Sequence, residues 1–455
     1  MKNYKDTDGP VTLKRDLGLF AAIAIVVGNT IGSGIFMAPQ GLAAASSPKA
    51  TIIAWIITSI GSIFLALSFA KLGMAMPKTG GPIVYTKAAF GEFAAFLVAW
   101  LYWIGIWVGD AAIITAATSY LSYFFPILGE SRLLAFLISS SILWIFTIIN
   151  VKGVKQAGIT GIVTTIFKII PLIVFVIIAA THFQESNFST VSSPELKGLS
   201  TIPAAVSITL WSFLGIESAT VPAGEIKNPE RNIKISTIYG TIVTAAIYIL
   251  ISVLAIGAMS QDKLAGSNAP LANIINAATG GSWGGPFIAF GAIVSTLGTI
   301  SGWILISGRS SFAAAEDKLF PSIFSKIHPK YKTPYTSIII ASIGTNLLLI
   351  TNYISSLTSA FNFILLLSTL SIIPVYTFTA AAEMKLLVKK SKDFNLFYFI
   401  KSSFIALVAF AYSIYAIYGT GATIVMYGFI MMLLGIPFYV YMKVKDKKEE
   451  VDEEI

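Results

Sequence analysis

Apolar segments long enough to cross a bilayer recur along almost the whole chain of 455 residues. Each is close to the roughly 20 residues that a membrane-spanning helix needs. Since 55% of the residues are hydrophobic and only 12% are charged, the composition excludes a water-soluble globule. We therefore predict an all-α membrane protein with twelve transmembrane helices, at 17–39, 50–72, 93–121, 133–150, 159–181, 202–222, 236–259, 287–308, 335–352, 356–380, 399–418 and 422–442.

Basic residues are distributed unequally between the two sides of these spans. With an even number of spans, both termini and the loops after even-numbered spans share one side, which carries most of the lysines and arginines. The opposite side carries only Lys49, Arg132, Lys197 and Lys263. Because cytoplasmic loops are rich in Lys and Arg, we predict that both termini are cytoplasmic. This asymmetry also explains the net charge of +9 without a nucleic-acid partner.

Small and polar residues interrupt two of the predicted spans. The first contains Gly-Asn-Thr-Ile-Gly-Ser-Gly-Ile-Phe at 28–36, and the sixth contains Gly215 and Glu217 at its centre. Non-helical backbone within a membrane is tolerated only where it is buried in protein or lines a water-filled cavity. Interruptions at matching positions of two five-span sets are typical of inverted-repeat transporters. Ordinary glycine-mediated packing of membrane helices is the alternative interpretation.

The interruptions divide the chain into predicted parts. We expect a cytoplasmic N-terminus at 1–16, a first five-helix repeat at 17–181 and a second, inverted repeat at 202–380. Two appended transmembrane helices follow within 381–442. The charged end at 443–455 is predicted to be a cytoplasmic tail without regular structure.

The ends of a broken helix suit a zwitterionic ligand. Free N–H groups begin the second half and free C=O groups end the first half, with partial charges of about half a unit at each end. The amide donors predicted here are Ser33, Gly34 and Ile35, and the carbonyl acceptors are Thr30, Trp211 and Leu214. The predicted pocket therefore fits the carboxylate and the ammonium of an α-amino acid. A diamine could use the acceptors alone.

Three ionisable residues lie deep inside predicted spans, namely Asp110, Lys168 and Glu217. Charge inside a membrane is expensive and usually marks a substrate or ion pathway, although structural pairing is the alternative. The two histidines, His182 and His328, fall at a span end and in a loop without the neighbours of a metal site. The chain contains no cysteine, which excludes disulfides, thiol catalysis and a cysteine metal site. We expect neither a metal nor a cofactor.

Several motifs occur together in the spans. The first carries Gly-Ser-Gly-Ile-Phe at 32–36, and the sixth carries Trp-Ser-Phe at 211–213. The third carries Leu-Tyr-Trp at 101–103, and the eighth carries Gly-Trp at 302–303. In these motifs the chain resembles the amino acid–polyamine–organocation transporters, and most closely their basic amino acid/polyamine antiporter branch. The resemblance implies a leucine-transporter-like fold with helices 1 and 6 broken. It also implies a location in a bacterial cytoplasmic membrane.

The resemblance also implies roles for single residues. Ser33 and Gly34 would hold the substrate carboxylate, so that a larger residue at Gly34 would fill the space needed. Trp211 and Trp303 would gate the pocket and pack on the substrate side chain, where an indole face attracts a cation by about 0.5–2 kcal/mol. Tyr102 would be a further gate residue. Glu217 would sense protons.

The chain departs from that branch at three positions. Asp110 stands where the branch has asparagine, and Leu367 where it has a tenth-span serine near the cationic group of the substrate. Lys168 resembles the fifth-span lysine of proton-coupled, sodium-independent carriers. It would tie the fifth span to the first, either as a fixed strut or as a proton carrier.

We predict a secondary transporter that exchanges cationic amino acids or their amines by alternating access. Proton-coupled uptake of neutral or broad-range amino acids is the alternative within transport, and a channel or non-transporting membrane sensor is the alternative from another class. An enzyme is not expected, because the sequence contains no nucleophile–base pair or phosphate-binding loop. The expected partners are an amino acid or polyamine substrate, lipid and protons, with a homodimer left open.

Overall fold

The computed structural model describes residues 18–189, 191, 194–196, 198–221, 223–281, 283–389 and 395–454. The predicted N-terminal segment 1–16 lies outside these residues. Within them the regular structure is helical. The α-helices are α1 Leu19–Thr30, α2 Ser33–Ala45, α3 Pro48–Ala75, α4 Pro82–Phe90, α5 Glu92–Leu121, α6 Ile127–Glu130, α7 Arg132–Lys152, α8 Val154–Thr181, α9 Ser186–Ser189, α10 Ile202–Trp211, α11 Pro229–Ala258, α12 Gln261–Ala265, α13 Pro270–Ala278, α14 Gly284–Glu316, α15 Tyr335–Leu348, α16 Thr351–Ile354, α17 Leu357–Lys389, α18 Leu396–Gly419 and α19 Ala422–Glu454.

Nine helices in the described part of the chain are long and apolar enough to cross a membrane. They are α1 together with α2, then α3, α5, α7, α11, α14, α17, α18 and α19. Three shorter apolar helices, Phe167–Thr181, Leu199–Trp211 and Tyr335–Leu348, overlap parts of the other three predicted spans. The protein is therefore a multi-pass integral membrane protein.

The first apolar segment is interrupted where the sequence predicts. α1 ends at Thr30 and α2 begins at Ser33, so that Ile31 and Gly32 lie outside both helices. The freed carbonyl of Thr30 accepts a hydrogen bond of 2.9 Å from the hydroxyl of Tyr248 on α11. A neighbouring helix thus satisfies the backbone that the interruption leaves open.

The second interruption packs directly against the first. α10 ends at Trp211, and turns replace regular helix from there to Val221. Gly215 has a φ of +110°, a conformation that favours glycine. A Cβ atom on Gly215 would lie 3.3 Å from the backbone of Asn29 and Thr30. Glycine therefore permits both the turn and the close approach of the two interrupted segments.

α5 occupies the centre of the bundle. It is the most deeply buried of the long helices, and it packs against α14 and α17. The last two helices, α18 and α19, are the least enclosed of the nine spans, together with α7. The cavity described below is therefore built around α5.

The structure corrects two details of the sequence analysis. α19 continues to Glu454, so the prediction that the chain lacks regular structure from residue 443 is wrong. Lysine and glutamate are good helix formers, and they extend a helix that already exists. The short helix α4 is absent from the predicted elements, since nine residues are too few to show a clear period.

Candidate substrate site

A cavity of about 360 Å³ lies between the two interruptions and helices α5, α14 and α17. Six predicted binding residues line it: Thr30, Ser33, Gly34, Trp211, Leu214 and Trp303. The remaining lining residues are Asn29, Gly32, Gly105, Ile106, Gly109, Ile113, Thr299, Ser368 and Ile372. Ile35, Tyr102, Asp110, Lys168 and Glu217 do not line the cavity.

The start of α2 supplies amide donors at the cavity wall. Ser33 is the first residue of this helix, and no side chain of the described residues caps its N-terminus. The first N–H groups of a helix have no intrahelical partner, and together with the helix dipole they attract anions. The residues at this end of the cavity can therefore hold a carboxylate.

The space beside Gly34 differs from the prediction. A Cβ atom there would lie 2.8 Å from Ser212 Oγ and 3.2 Å from both Ser212 Cα and Tyr248 Oη. Glycine is thus required because α2 packs closely on the end of α10. A larger residue at this position would disturb helix packing as well as the cavity, so it is a poor probe of carboxylate binding.

Backbone carbonyls provide the acceptors predicted for an ammonium group. The carbonyl of Thr30 is occupied, because Tyr248 and the N–H of Gly32 both donate to it. Trp211 accepts a bond of 3.2 Å from the N–H of Leu214. The carbonyl of Leu214 accepts no hydrogen bond from the residues that the structure describes. Leu214 therefore offers the free acceptor of this set.

Two indole rings form part of the cavity wall. The Nε1 of Trp303 on α14 donates to the carbonyl of Asn29 at 3.3 Å, which fixes this ring against the first interruption. Trp211 packs against α5, where a Cβ atom on Gly109 would lie 3.2 Å from the indole. Both rings could pack against an elongated side chain, and an indole face attracts cations.

Glu217 lies beside the cavity in a closed hydrogen-bond cluster. Its Oε1 accepts a bond of 3.0 Å from the hydroxyl of Tyr102, and its Oε2 accepts bonds from the Tyr376 hydroxyl at 2.5 Å and the Gly215 N–H at 3.1 Å. The cluster joins the second interruption to α5 and α17. Tyr376 was missed by the sequence analysis, which had no pattern to pair a tyrosine with a distant glutamate.

Lys168 lies at the first interruption. Its ammonium donates to the carbonyl oxygens of Ile31 at 2.7 Å and Gly28 at 2.9 Å, and to Thr299 Oγ1 at 3.5 Å. An ammonium has three donors, so these contacts account for all of them. Lys168 thereby connects α8 to the end of α1 and to α14.

Asp110 is set back from the cavity. On a helix with 100° per residue, Asp110 lies about 40° beyond Ile106, at the edge of the stripe that lines the cavity. It is only 2% exposed, and its Oδ1 has no hydrogen-bond partner among the residues that the structure describes. A buried carboxylate oxygen thus remains unpaired next to the cavity wall.

The tenth span does provide a serine at the cavity. Ser368 lines it and donates to the carbonyl of Gly105 at 2.7 Å. A serine hydroxyl thus lies at the cavity one residue after Leu367, the position at which the sequence predicts its loss. Helix packing places residue 368 and not residue 367 towards α5.

Neither histidine lies at the cavity. His182 ends α8 beside Thr181, and His328 accepts hydrogen bonds from the backbone of Lys330 and Tyr331 in a loop. In the described ranges, no group of three or more acidic or metal-binding side chains is placed to hold a metal ion.

The chain is similar to known transport proteins over almost its full length. Residues 17–442 match the family model for amino acid permease. The arginine/agmatine antiporter of Chlamydia pneumoniae is 34% identical over 94% of this chain and 90% of its own length. An arginine/ornithine antiporter of Latilactobacillus sakei is 33% identical over 93% of this chain and 90% of its own. A putative arginine/ornithine antiporter of Bacillus subtilis is 31% identical over 95% and 98%, respectively.

Proposed function

Because this chain belongs to the amino acid permease family, we propose that it exchanges cationic amino acids and their amines across a bacterial membrane. The relatives are named as antiporters of arginine with agmatine or ornithine. The observation that carries the proposal is the cavity between the two interruptions. Among the described residues it combines a helix N-terminus without a side-chain cap, the carbonyl of Leu214 without a donor, and two indole rings.

The polar ends of the cavity define how a substrate lies in it. The carboxylate of an amino acid binds the N–H groups of Ser33 and Gly34 at the start of α2. The ammonium binds the free carbonyl of Leu214 and, after local rearrangement, those of Thr30 and Trp211. An amine without a carboxylate keeps the second set of contacts, so both kinds of substrate can use one cavity.

The side chain of the substrate extends between Trp211 and Trp303, towards the edge where Asp110 lies. A buried carboxylate without a partner is costly in an apolar environment, and a cationic side chain supplies that partner. The unpaired Oδ1 of Asp110 therefore supports a preference for cationic substrates. This contact requires the side chain of Asp110 to turn towards the cavity.

The transport cycle is alternating access between two inverted repeats. We place the repeats at 17–181 and 202–380, within a total of twelve spans and with both termini in the cytoplasm. The contact between Gly215 and the first interruption supports this pairing, since matching elements of the two repeats meet at the cavity. Trp211, Trp303 and Tyr102 act as gates, with Tyr102 doing so through its bond to Glu217.

Glu217 and Lys168 have separate roles in this cycle. Protonation of Glu217 would remove an acceptor from the cluster with Tyr102 and Tyr376, and would loosen the link between α5 and α17. Lys168 has all three of its donors engaged, which supports a role as a strut. Protons would therefore act on the cycle through Glu217.

Competition between substrates tests this function. Purified protein is placed in liposomes loaded with arginine, and uptake of labelled arginine is measured against unlabelled agmatine, ornithine, lysine, alanine and leucine. Since only cationic compounds can pair with Asp110, they should compete at concentrations about tenfold lower than the neutral ones. Equal competition by alanine and leucine would contradict the proposed substrate class.

A further inference from the structure

One ion pair joins two helices that are far apart in the sequence. Lys71 Nζ, near the end of α3, lies 2.7 Å from Glu383 Oε1 on α17. The glutamate side chain is 2% exposed, whereas the lysine side chain is 40% exposed. The second oxygen of Glu383, Oε2, has no hydrogen-bond partner within the described residues. Lys71 is thus the cation that compensates a buried carboxylate.

Glu383 shares one face of α17 with the residues that enclose the cavity. Ile372, Tyr376 and Glu383 follow one another at intervals of four and seven residues, which places them on the same side of a helix. Ile372 lines the cavity, and Tyr376 donates to Glu217. A displacement of this face from the bundle would therefore affect the cavity wall, the Glu217 cluster and the ion pair together.

α3 follows the same face of α17. The ring of Phe69, two residues before Lys71, meets the ring of Tyr376 edge to face at 5.2 Å. Two contacts therefore hold α3 and α17 together. The aromatic contact lies next to Glu217, and the ion pair lies further along both helices. Separation of these two helices breaks both contacts.

The two partners respond differently when they are separated. The ammonium of Lys71 is already partly hydrated, so separation from Glu383 costs it little free energy. The carboxylate of Glu383 is left as an uncompensated buried charge unless water reaches it. In two other ion pairs, Lys87–Asp317 and Lys443–Glu92, the carboxylates are 43% and 52% exposed and can be hydrated without any movement.

We infer that the Lys71–Glu383 pair is a latch that holds the cavity closed on the side where α3 and α17 end. This inference rests on the alternating access of the proposed function. In the closed state the carboxylate is buried and needs Lys71. When this side opens, water reaches Glu383 and the pair separates.

The latch makes an asymmetric prediction for its two residues. Lys71→Met leaves a buried charge in the closed state, and opening relieves it by hydration. Glu383→Gln removes that charge and leaves Lys71 in water, so its effect should be smaller. The double variant Lys71→Met/Glu383→Gln should behave like Glu383→Gln alone.

The absence of cysteine from the chain allows a direct measurement of opening. Ile372→Cys places one thiol at the cavity, and a membrane-impermeant thiol reagent is applied to right-side-out and inside-out vesicles. A separate variant, Lys330→Cys, carries an exposed thiol in the loop before α15 and shows which vesicles present this face of the protein. Lys87→Met is the matched control for loss of a surface ion pair.

Lys71→Met should raise the labelling rate of the cavity thiol from the latch side by about tenfold, and Glu383→Gln should raise it by about threefold. Lys87→Met should leave the rate unchanged. The latch is overturned if Lys71→Met has no effect, or the same effect as Lys87→Met. If Lys71→Met does not fold, an unchanged rate in Glu383→Gln overturns it equally. Failure of the native protein to exchange substrates would count against the proposed function and leaves the labelling test intact.

Discussion

The ammonium of Lys168 lies 2.7 Å from the carbonyl oxygen of Ile31, inside the interruption between α1 and α2. The last carbonyl groups of a helix have no intrahelical partners. At this interruption a single side chain from α8 satisfies two of them, since Gly28 accepts a second bond at 2.9 Å. A lysine thus stabilises the break that shapes the cavity.

Removal of this ammonium should impair transport without changing its pH dependence. Lys168→Ala leaves the carbonyl of Ile31 without a donor and that of Gly28 with only a bond of 3.4 Å from Thr299 Oγ1. An unsatisfied buried carbonyl costs about 1–3 kcal/mol. We expect the exchange rate to fall by at least about tenfold at every pH tested. The measurement is the exchange rate across a pH series, with Lys152→Ala at the exposed end of α7 as the control. A flattened pH profile in Lys168→Ala would assign the lysine to proton transfer instead.

The pH dependence should depend on Glu217. Glu217→Gln keeps the size of the side chain but removes the proton exchange of a carboxyl group, so the pH profile of exchange should flatten. Binding of substrate should remain measurable, because Glu217 does not line the cavity. An unaltered profile in this variant, together with a flattened one in Lys168→Ala, would favour proton-coupled uptake over exchange.

Asp110 should distinguish substrates by charge. Asp110→Asn removes the partner of a cationic side chain in a low-dielectric environment. We expect the apparent affinity for arginine and lysine to fall by about tenfold or more, with little change for alanine and leucine. Competition measurements with the four amino acids provide the comparison. Equal losses for all four would mean that Asp110 is structural.

The carboxylate site can be tested without disturbing the packing at Gly34. Ser33 is the first residue of α2, a position where proline is tolerated because the N–H has no intrahelical partner. Ser33→Pro removes one amide donor, whereas Ser33→Ala retains it. We expect Ser33→Pro to lower the apparent affinity for arginine by about tenfold. The affinity for agmatine should change little, because agmatine has no carboxylate. If Ser33→Pro and Ser33→Ala lower the affinity for arginine equally, the carboxylate does not bind the N–H of Ser33.

The main features of the fold are visible in the sequence because lipid restricts the possible structures. Long apolar segments must be helical, so residues such as Gly32 and Gly215 in their centres indicate interruptions. The tail after Lys443 is not restricted in this way, and there the prediction failed. Its helix continues α19 into a charged segment.

The cavity was predictable where the argument concerned backbone, and less so where it concerned side chains. Helix ends indicated Thr30, Ser33 and Leu214 directly. Whether Asp110 or Ser368 faces the cavity depends on the rotation of α5 and α17. A change of one residue turns a side chain by 100°, and only the packing of the helices fixes that angle.

Counterflow in liposomes tests the central claim most directly. Uptake of labelled arginine is compared in proteoliposomes that contain unlabelled arginine, agmatine or ornithine and in proteoliposomes that contain buffer alone. An exchanger returns to the outer face only with a bound substrate, so loaded vesicles should take up arginine at least about tenfold faster than empty ones. Equal uptake into empty vesicles, driven by a proton gradient, would contradict exchange and identify the protein as a proton-coupled carrier.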